Sequence, residues 1–339
     1  MKYDITFHPS WWHKNAGVDF TEEFFENPKY RIECDVKMRK VLYENFGAYG
    51  IGEKSPSERP MLGSDLIASG YFHSALAGCE ILYSKDNAPQ VKSMDLDEED
   101  IEDFQVGDYK AHSLYKNMLE QVDYLKEKFG YVYPATNLMG IQNIAMDIMG
   151  QNLFLAYYTE PELVKKLLSD ITDMSIEIGR YFKSLSDTVS GGVTAIVKQT
   201  VPDCYLTSNC SVEMISNDLY EEFLLEFDNK LAEAFPCFGI HHCGQTMEHV
   251  AEGYAKVNNL KFAEVGAGSD LLAVRKALPG VFLNARFSPV SLKDDSPEEI
   301  MEKTKELIAK CDANMSISCV GIDAGVENSK IEAFLKACI

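Results

Sequence analysis

His241 and Cys243 stand two residues apart at the end of the apolar run Cys237-Phe238-Gly239-Ile240, and another sulfur, Cys319, closes the distant run Met315-Ser316-Ile317-Ser318. In a strand, side chains alternate faces with period two, so His241 and Cys243 share a face and His242 points away from it. An imidazole and two thiolates suit zinc. A site with three protein ligands keeps a position for water or substrate, the composition of catalytic rather than structural zinc. The same residues also read as two small buried thiols and a hydrogen-bonded core histidine, because His-x-Cys is a short motif. Glu264 adds weight to the metal. It lies in the run Lys261-Phe262-Ala263-Glu264-Val265, where a carboxylate needs a cationic partner. Zinc would be that partner, held by His241, Cys243, Cys319 and Glu264; the alternative is a salt bridge to Arg286.

These residues need strands to position them. Leu66-Ile67-Ala68-Ser69, Glu80-Ile81-Leu82-Tyr83, residues 131–136, Val193-Thr194-Ala195-Ile196-Val197, the run ending at His241, and residues 260–265, 280–284 and 313–319 read as short apolar strands. Between them lie helical patterns at 141–149, 161–186, 219–235, 246–255, 270–277 and 297–309, with a closing helix at 329–337. Strands alternating with polar-faced helices mean parallel βα units, and about eight of them favour an α/β fold of the (β/α)8 TIM barrel type. The barrel is expected over residues 61–339. Residues 1–60, irregular and aromatic with Trp11, Trp12, Phe24 and Phe25, are expected to form an N-terminal cap extension.

In such a barrel the chemistry sits where strands run into the following loops. Asn137, Gln199 with Asp203, His241 with Cys243, Glu264, Asn284 with Arg286, and Cys319 with Asp323 occupy those places. Asn137, Asp203, Glu264 and Arg286 are the candidate catalytic groups among them. Cys204 and Cys210 fit no common zinc spacing and read as buried or incidental thiols. Lys198 reads as ion-paired or solvated, and His73, His112 and His249 as surface or helix-packing residues.

Composition narrows the function class. With 32 basic against 53 acidic side chains the net charge is −21, which disfavours nucleic acid and anionic membranes as partners. No stretch approaches the ~18 apolar residues of a membrane helix, and the N-terminal residues lack a signal peptide's apolar core. A cytoplasmic protein is expected. Nine cysteines without a secretory signal argue for free thiols and metal ligands over a disulfide scaffold. Neither G-x-G-x-x-G nor G-x-x-x-x-G-K-[ST] is present, so a nucleotide cofactor is not expected, and without G-x-S-x-G a serine acyl transferase has no support.

The segment from Gly140 to Gly150 (G-I-Q-N-I-A-M-D-I-M-G), the following Asn-Leu-Phe-Leu and Thr159-Glu160-Pro161-Glu162-Leu163 resemble the uroporphyrinogen decarboxylase superfamily. So do Ile240 to Gly244 and Ser316 to Ala337. The resemblance implies a (β/α)8 barrel. The arginine-rich R-Q-A-G-R segment of the decarboxylase proper is absent. Corrinoid-linked methyltransferases of the superfamily carry H-x-C and a far C-terminal Cys as zinc ligands, which implies that role for His241, Cys243 and Cys319. The order His, Cys, Glu, Cys in cobalamin-independent methionine synthase is similar and implies Glu264 as a fourth ligand.

The function implied is zinc-dependent transfer of a methyl group between a small methylated substrate, a methyl ether among the candidates, and a corrinoid protein or a thiol or folate acceptor. A corrinoid would arrive on a separate partner protein, since no D-x-H-x-x-G segment is present. Zinc would serve either by activating a thiol or as a Lewis acid on the methylated atom. The alternatives are a metal-free carboxy-lyase resembling uroporphyrinogen decarboxylase, for which Arg286 is the one well-placed cation, and a non-catalytic barrel with a structural zinc. A homodimer is compatible with either class.

Overall fold

The structure, a computed structural model, describes residues 1–186, 189 and 195–339. Seven parallel strands form its main sheet: β1 (Lys2–Phe7), β2 (Leu138–Met139), β3 (Cys204–Ser208), β4 (Cys237–His242), β5 (Leu260–Val265), β6 (Phe282–Phe287) and β7 (Met315–Ile322). Their order is β1-β7-β6-β5-β4-β3-β2, so chain neighbours from β2 to β7 are also sheet neighbours and the first strand lies beside the last. Met61–Gly63 pairs in parallel with Tyr133–Ala135, whose chain runs straight on into β2. Among the described residues no ladder joins β1 to Met61–Gly63. Instead Asp4 and Thr6 of β1 line, with Asp65 and Leu66, a cavity of about 520 Å³. The curled parallel sheet thus has a seam where an eight-stranded barrel would close.

The N-terminus departs from expectation. Lys2-Tyr3-Asp4-Ile5-Thr6-Phe7 is a strand of the main sheet, in register with Ser316 to Ile322 of β7, and not part of a cap. Tyr3, Ile5 and Phe7 alternate with Lys2, Asp4 and Thr6, and the apolar set packs outward. Phe7 stacks on Trp11 with centroids 3.9 Å apart, and Trp12 meets Trp11 edge-on at 5.0 Å. Both tryptophans are at most 1% exposed. They belong to the core, with Phe46 of the helix Pro28–Phe46, and do not line a mouth.

Other elements also differ. Residues 66–69 form no strand, and Glu80–Leu82 pairs antiparallel with Gln90–Lys92 in a separate hairpin. Of the run 193–197, Val193 and Thr194 lie outside the described residues; Ala195 is in a turn and Ile196 opens the helix Ile196–Thr200. That helix stoppers the N-terminal end of the sheet's interior, where Ile196 and Val197 pack on Cys204, Leu206, Cys237 and Phe262. The interior is therefore apolar below and polar above. The polar tier comprises the next inward positions on the same strands: Ser208, His241, Glu264, Asn284 and Arg286.

Helices fix the strand ends. The helix Ile141–Met149 reaches the end of β3 because its entry residue is Gly140, where a Cβ would stand 2.3 Å from the Ser208 carbonyl oxygen. The helix Pro297–Ala309 opens with a capping box, Ser296 and Glu299 each bonding the other's backbone N–H. The long helix Pro161–Leu185 buries Leu167, Leu168, Ile171, Met174 and Ile178 on one face, as their spacing predicts. No helix of the described residues is long and apolar enough to cross a membrane.

Candidate metal centre

β4 delivers His241 at the C-terminal end of the sheet, level with Ser208 of β3 and Glu264 of β5. His242 points to the other side, as period two requires. Its Nδ1 meets the Tyr254 hydroxyl at 3.0 Å and its Nε2 the Thr246 carbonyl at 2.9 Å, and burial pushes its pKa down to about 4. Cys243 follows in the exposed loop. The thiol that meets it is Cys210, from the loop after β3; the two sulfurs are 2.8 Å apart. Cys210, His241 and Cys243 have ligand atoms all within 4.8 Å of one another.

The loop that carries Cys210 is held from three sides. Asn143 accepts from the Ser211 N–H at 2.9 Å and donates to the Ser208 carbonyl at 2.8 Å; Gln142 donates to the Ser211 carbonyl at 2.8 Å. Asn209 N–H donates to the His241 carbonyl at 2.8 Å, and the Asn209 amide donates to Asp228, which also accepts from the Tyr220 hydroxyl at 2.7 Å. Cys210 is thus positioned by hydrogen bonds from the adjoining strand and helices. Sequence reasoning set it aside as incidental. The usable signal was topological: in a parallel sheet the ends of consecutive strands are neighbours, so a Cys two residues past β3 lies beside a His at the end of β4.

Behind the thiols lies a charged chain. Glu264, fully buried, contacts His241 Nδ1 through Oε2, the same oxygen that accepts from Arg286 Nη2 at 2.9 Å. Its other oxygen accepts from Asn284 at 3.2 Å, and Asn284 is itself tied to Ser316 and Ser318 at 3.1 Å each. Glu264 is thus not one of the clustered donors: it pairs with Arg286, the alternative the sequence left open, and is oriented on His241 in the manner of a carboxylate behind a metal-ligating histidine. Burial and Arg286 oppose a charge on His241, but Glu264 and Cys243 outweigh them and raise its pKa. The hydrogen bond with Cys210 holds the Cys243 thiol well below its usual range against the effect of burial, with help from His241 and Arg286.

Cys319 is a correction. It is completely buried in β7, where Ser316 and Ser318 take the inward positions against Asn284. Alternation turns Cys319 outward, and its register partners are the core residues Ile5 and Phe287. Burial pushes its thiol up to about 12. It is not one of the clustered donors. Asp203 is likewise displaced: it precedes β3 at the opposite end, about 15 Å along the strand from Ser208, and pairs with Lys183. Asn137 stands half-buried beside Gly70, between Tyr133–Ala135 and β2. Asp323 pairs with Lys293 at 3.0 Å, and Lys198, its side chain 10% exposed, with Asp65 at 3.8 Å. None of these four belongs to the His241 cluster.

The donor set suits zinc. Tetrahedral zinc with bonds of about 2.0–2.3 Å spaces its donors by about 3.3–3.8 Å, so the two sulfurs, 2.8 Å apart, would open by about 1 Å, and the imidazole stands within 4.8 Å of both. Arg286 has a structural share in this centre. Arg286→Ala leaves the buried Glu264 carboxylate without its guanidinium, and the expected loss is about 3–5 kcal/mol, read as a lower urea midpoint at unchanged slope. Adding Glu264→Gln should recover part of that loss; an unaltered midpoint in the single variant contradicts the ion pair.

The uroporphyrinogen decarboxylase (URO-D) family model matches residues 71–339. The chain belongs to that family. The match begins after β1 and Met61–Gly63, so the URO-D assignment rests on β2 to β7 and their helices. Solved structures extend the likeness over the rest of the fold. A methyltransferase from Methanosarcina mazei superposes with a TM-score of 0.68 at 17% identity, over 99% of this chain and 94% of that one. A B12-independent methionine synthase from Shewanella sp. W3-18-1, in complex with selenomethionine, superposes with a TM-score of 0.51 at 12% identity over the same shares. No curated protein sequence matches this URO-D chain.

Proposed function

We propose that this URO-D family member is a zinc-dependent methyltransferase whose metal ligands are Cys210, His241 and Cys243. The observation that carries the proposal is the gathering of two thiols and an imidazole within 4.8 Å at the C-terminal end of a parallel sheet, one thiol exposed. The names of the two structural neighbours, a methyltransferase and a methionine synthase, favour methyl transfer over other zinc chemistry. Zinc bound there supplies Lewis acidity toward a methylated substrate or a thiol. The chain's own residues supply the rest. Glu264 fixes the ring of His241, Arg286 balances the Glu264 charge, and Asn284 holds the second carboxylate oxygen. Three protein donors at an exposed edge favour an open catalytic site over a closed structural one. A corrinoid protein is our preferred second substrate, with a thiol or folate acceptor as the alternative.

The carboxy-lyase reading weakens on the geometry, because the one well-placed cation, Arg286, already spends its Nη2 on Glu264 and His241. Trp11 and Trp12 are not available to line a substrate pocket, both rings being buried in the core. Metal analysis tests the proposal. Protein purified with zinc should carry about one ion per chain, and a screen of methylated compounds should yield transfer to a reduced corrinoid protein that stops on chelation and resumes with zinc. Zinc-replete protein that binds no metal ends the proposal.

A further inference from the structure

We infer that the cleft beside Cys210 binds a small methylated ammonium ion whose charge is met by Asp147; this rests on the methyltransferase reading and names its substrate class. The cleft, about 530 Å³, is lined by Cys210 and Ser211 together with Met139, Asn143, Met146 and Asp147. Asn143, Met146 and Asp147 are three and four residues apart, so one face of the helix Ile141–Met149 presents them together. The hairpin segment Ala88–Val91 also lines the cleft. A candidate metal ligand and a carboxylate therefore share one cavity.

Asp147 is spent only in part. Its Oδ2 accepts from the Ser74 hydroxyl at 2.6 Å, and no Lys, Arg or His among the described residues lies within ion-pair distance of it. Burial raises its pKa, the state expected of a carboxylate whose counter-charge is missing. A mostly desolvated acid on the wall of a cleft is costly without a cation. The neighbouring walls are thioether and aliphatic: Met139, Met146, Ala88, Pro89 and Val91. Such a lining is soft and polarisable and suits N-methyl groups, while offering an ammonium no other anion. A neutral methyl ether or alcohol would make no use of the charge. The protein's net charge of −21 also favours approach of a cation.

Zinc-replete protein titrated calorimetrically with tetramethylammonium, and with tert-butyl alcohol as a neutral analogue of the same heavy-atom count, separates the outcomes. Wild type should bind the cation more tightly than the alcohol. Asp147→Asn, which keeps an acceptor for Ser74, should weaken the cation at least tenfold and leave the alcohol unchanged, while Asp147→Glu should retain cation binding. Equal affinity for both probes in the wild type, or equal loss of both in Asp147→Asn, overturns the inference. Zinc content measured on the same samples keeps the two readings apart. Full zinc with no cation preference sinks only the substrate class, whereas absence of zinc sinks the methyltransferase whatever the cation does.

Discussion

Cys210→Ala purified with zinc should lose its metal to a mild chelator, while Cys319→Ala keeps it. The first change removes one donor of three from a site whose binding free energy, by analogy with structural zinc, is about 10–16 kcal/mol, so the affinity should drop on the order of a hundredfold or more. The second removes a sulfur from the outward face of β7, where it packs between helix and sheet. It should cost about 1–2 kcal/mol of stability as a small core truncation and leave zinc content intact. Plasma-mass-spectrometric metal counts after dialysis decide the matter, with thermal melts to show that both variants fold. The reverse pattern, with zinc kept in Cys210→Ala and lost in Cys319→Ala, would mean that β7 sits one residue out of the register described and that the ligands are His241, Cys243 and Cys319.

Removal of residues 1–16 should unfold the whole protein and not merely retune its substrate preference. The truncation takes away β1, an entire ladder beside β7, and with it Trp11 and Trp12, among the largest fully buried side chains. Trp12→Ala alone should cost about 3–5 kcal/mol, a large part of a typical folding free energy of about 5–15 kcal/mol. The truncated chain is expected to be insoluble or to lack near-ultraviolet dichroism and a cooperative melt. Trp12→Ala is expected to fold with a markedly lowered midpoint. A soluble, cooperative truncation with a changed substrate profile would restore the cap expected of residues 1–60.

The two outcomes mark where the sequence was readable. His241, Cys243 and Glu264 could be placed together because period-two alternation and parallel βα succession are local rules, and the register of β4 with β5 obeys them. The same rule misleads at Cys319: a strand's boundaries do not reveal its phase, and a slip of one residue sends every side chain to the other face. Cys210 was hidden for a different reason. Its function depends on the loop after β3 being tied down by Gln142, Asn143 and Asp228, contacts made across tens of residues that leave no local signature. Ala195 to Val197 escaped the strand expected of them because a short apolar run fits a strand or one buried helical turn equally well. At the N-terminus the alternation of Tyr3, Ile5 and Phe7 was present, but six residues with a polar inward face were outweighed by the aromatic stretch behind them.

The pairing of the first strand with the last has a consequence for how the chain comes to be folded. Ile5 waits for Cys319, more than three hundred residues away, before its backbone finds a strand partner. At a synthesis rate of ~5–20 residues per second, that wait is about 15–60 s. Through it the nascent chain carries an unsatisfied strand edge followed by Trp11, Trp12, Phe24 and Phe25, all destined for the interior. Contacts this distant also make the final closure slow relative to the local βα units, which can assemble as they emerge. Production in cells should therefore respond strongly to chaperone supply and growth temperature, and circular permutants that begin at β2 and carry β1 directly after β7 should reach the native state faster.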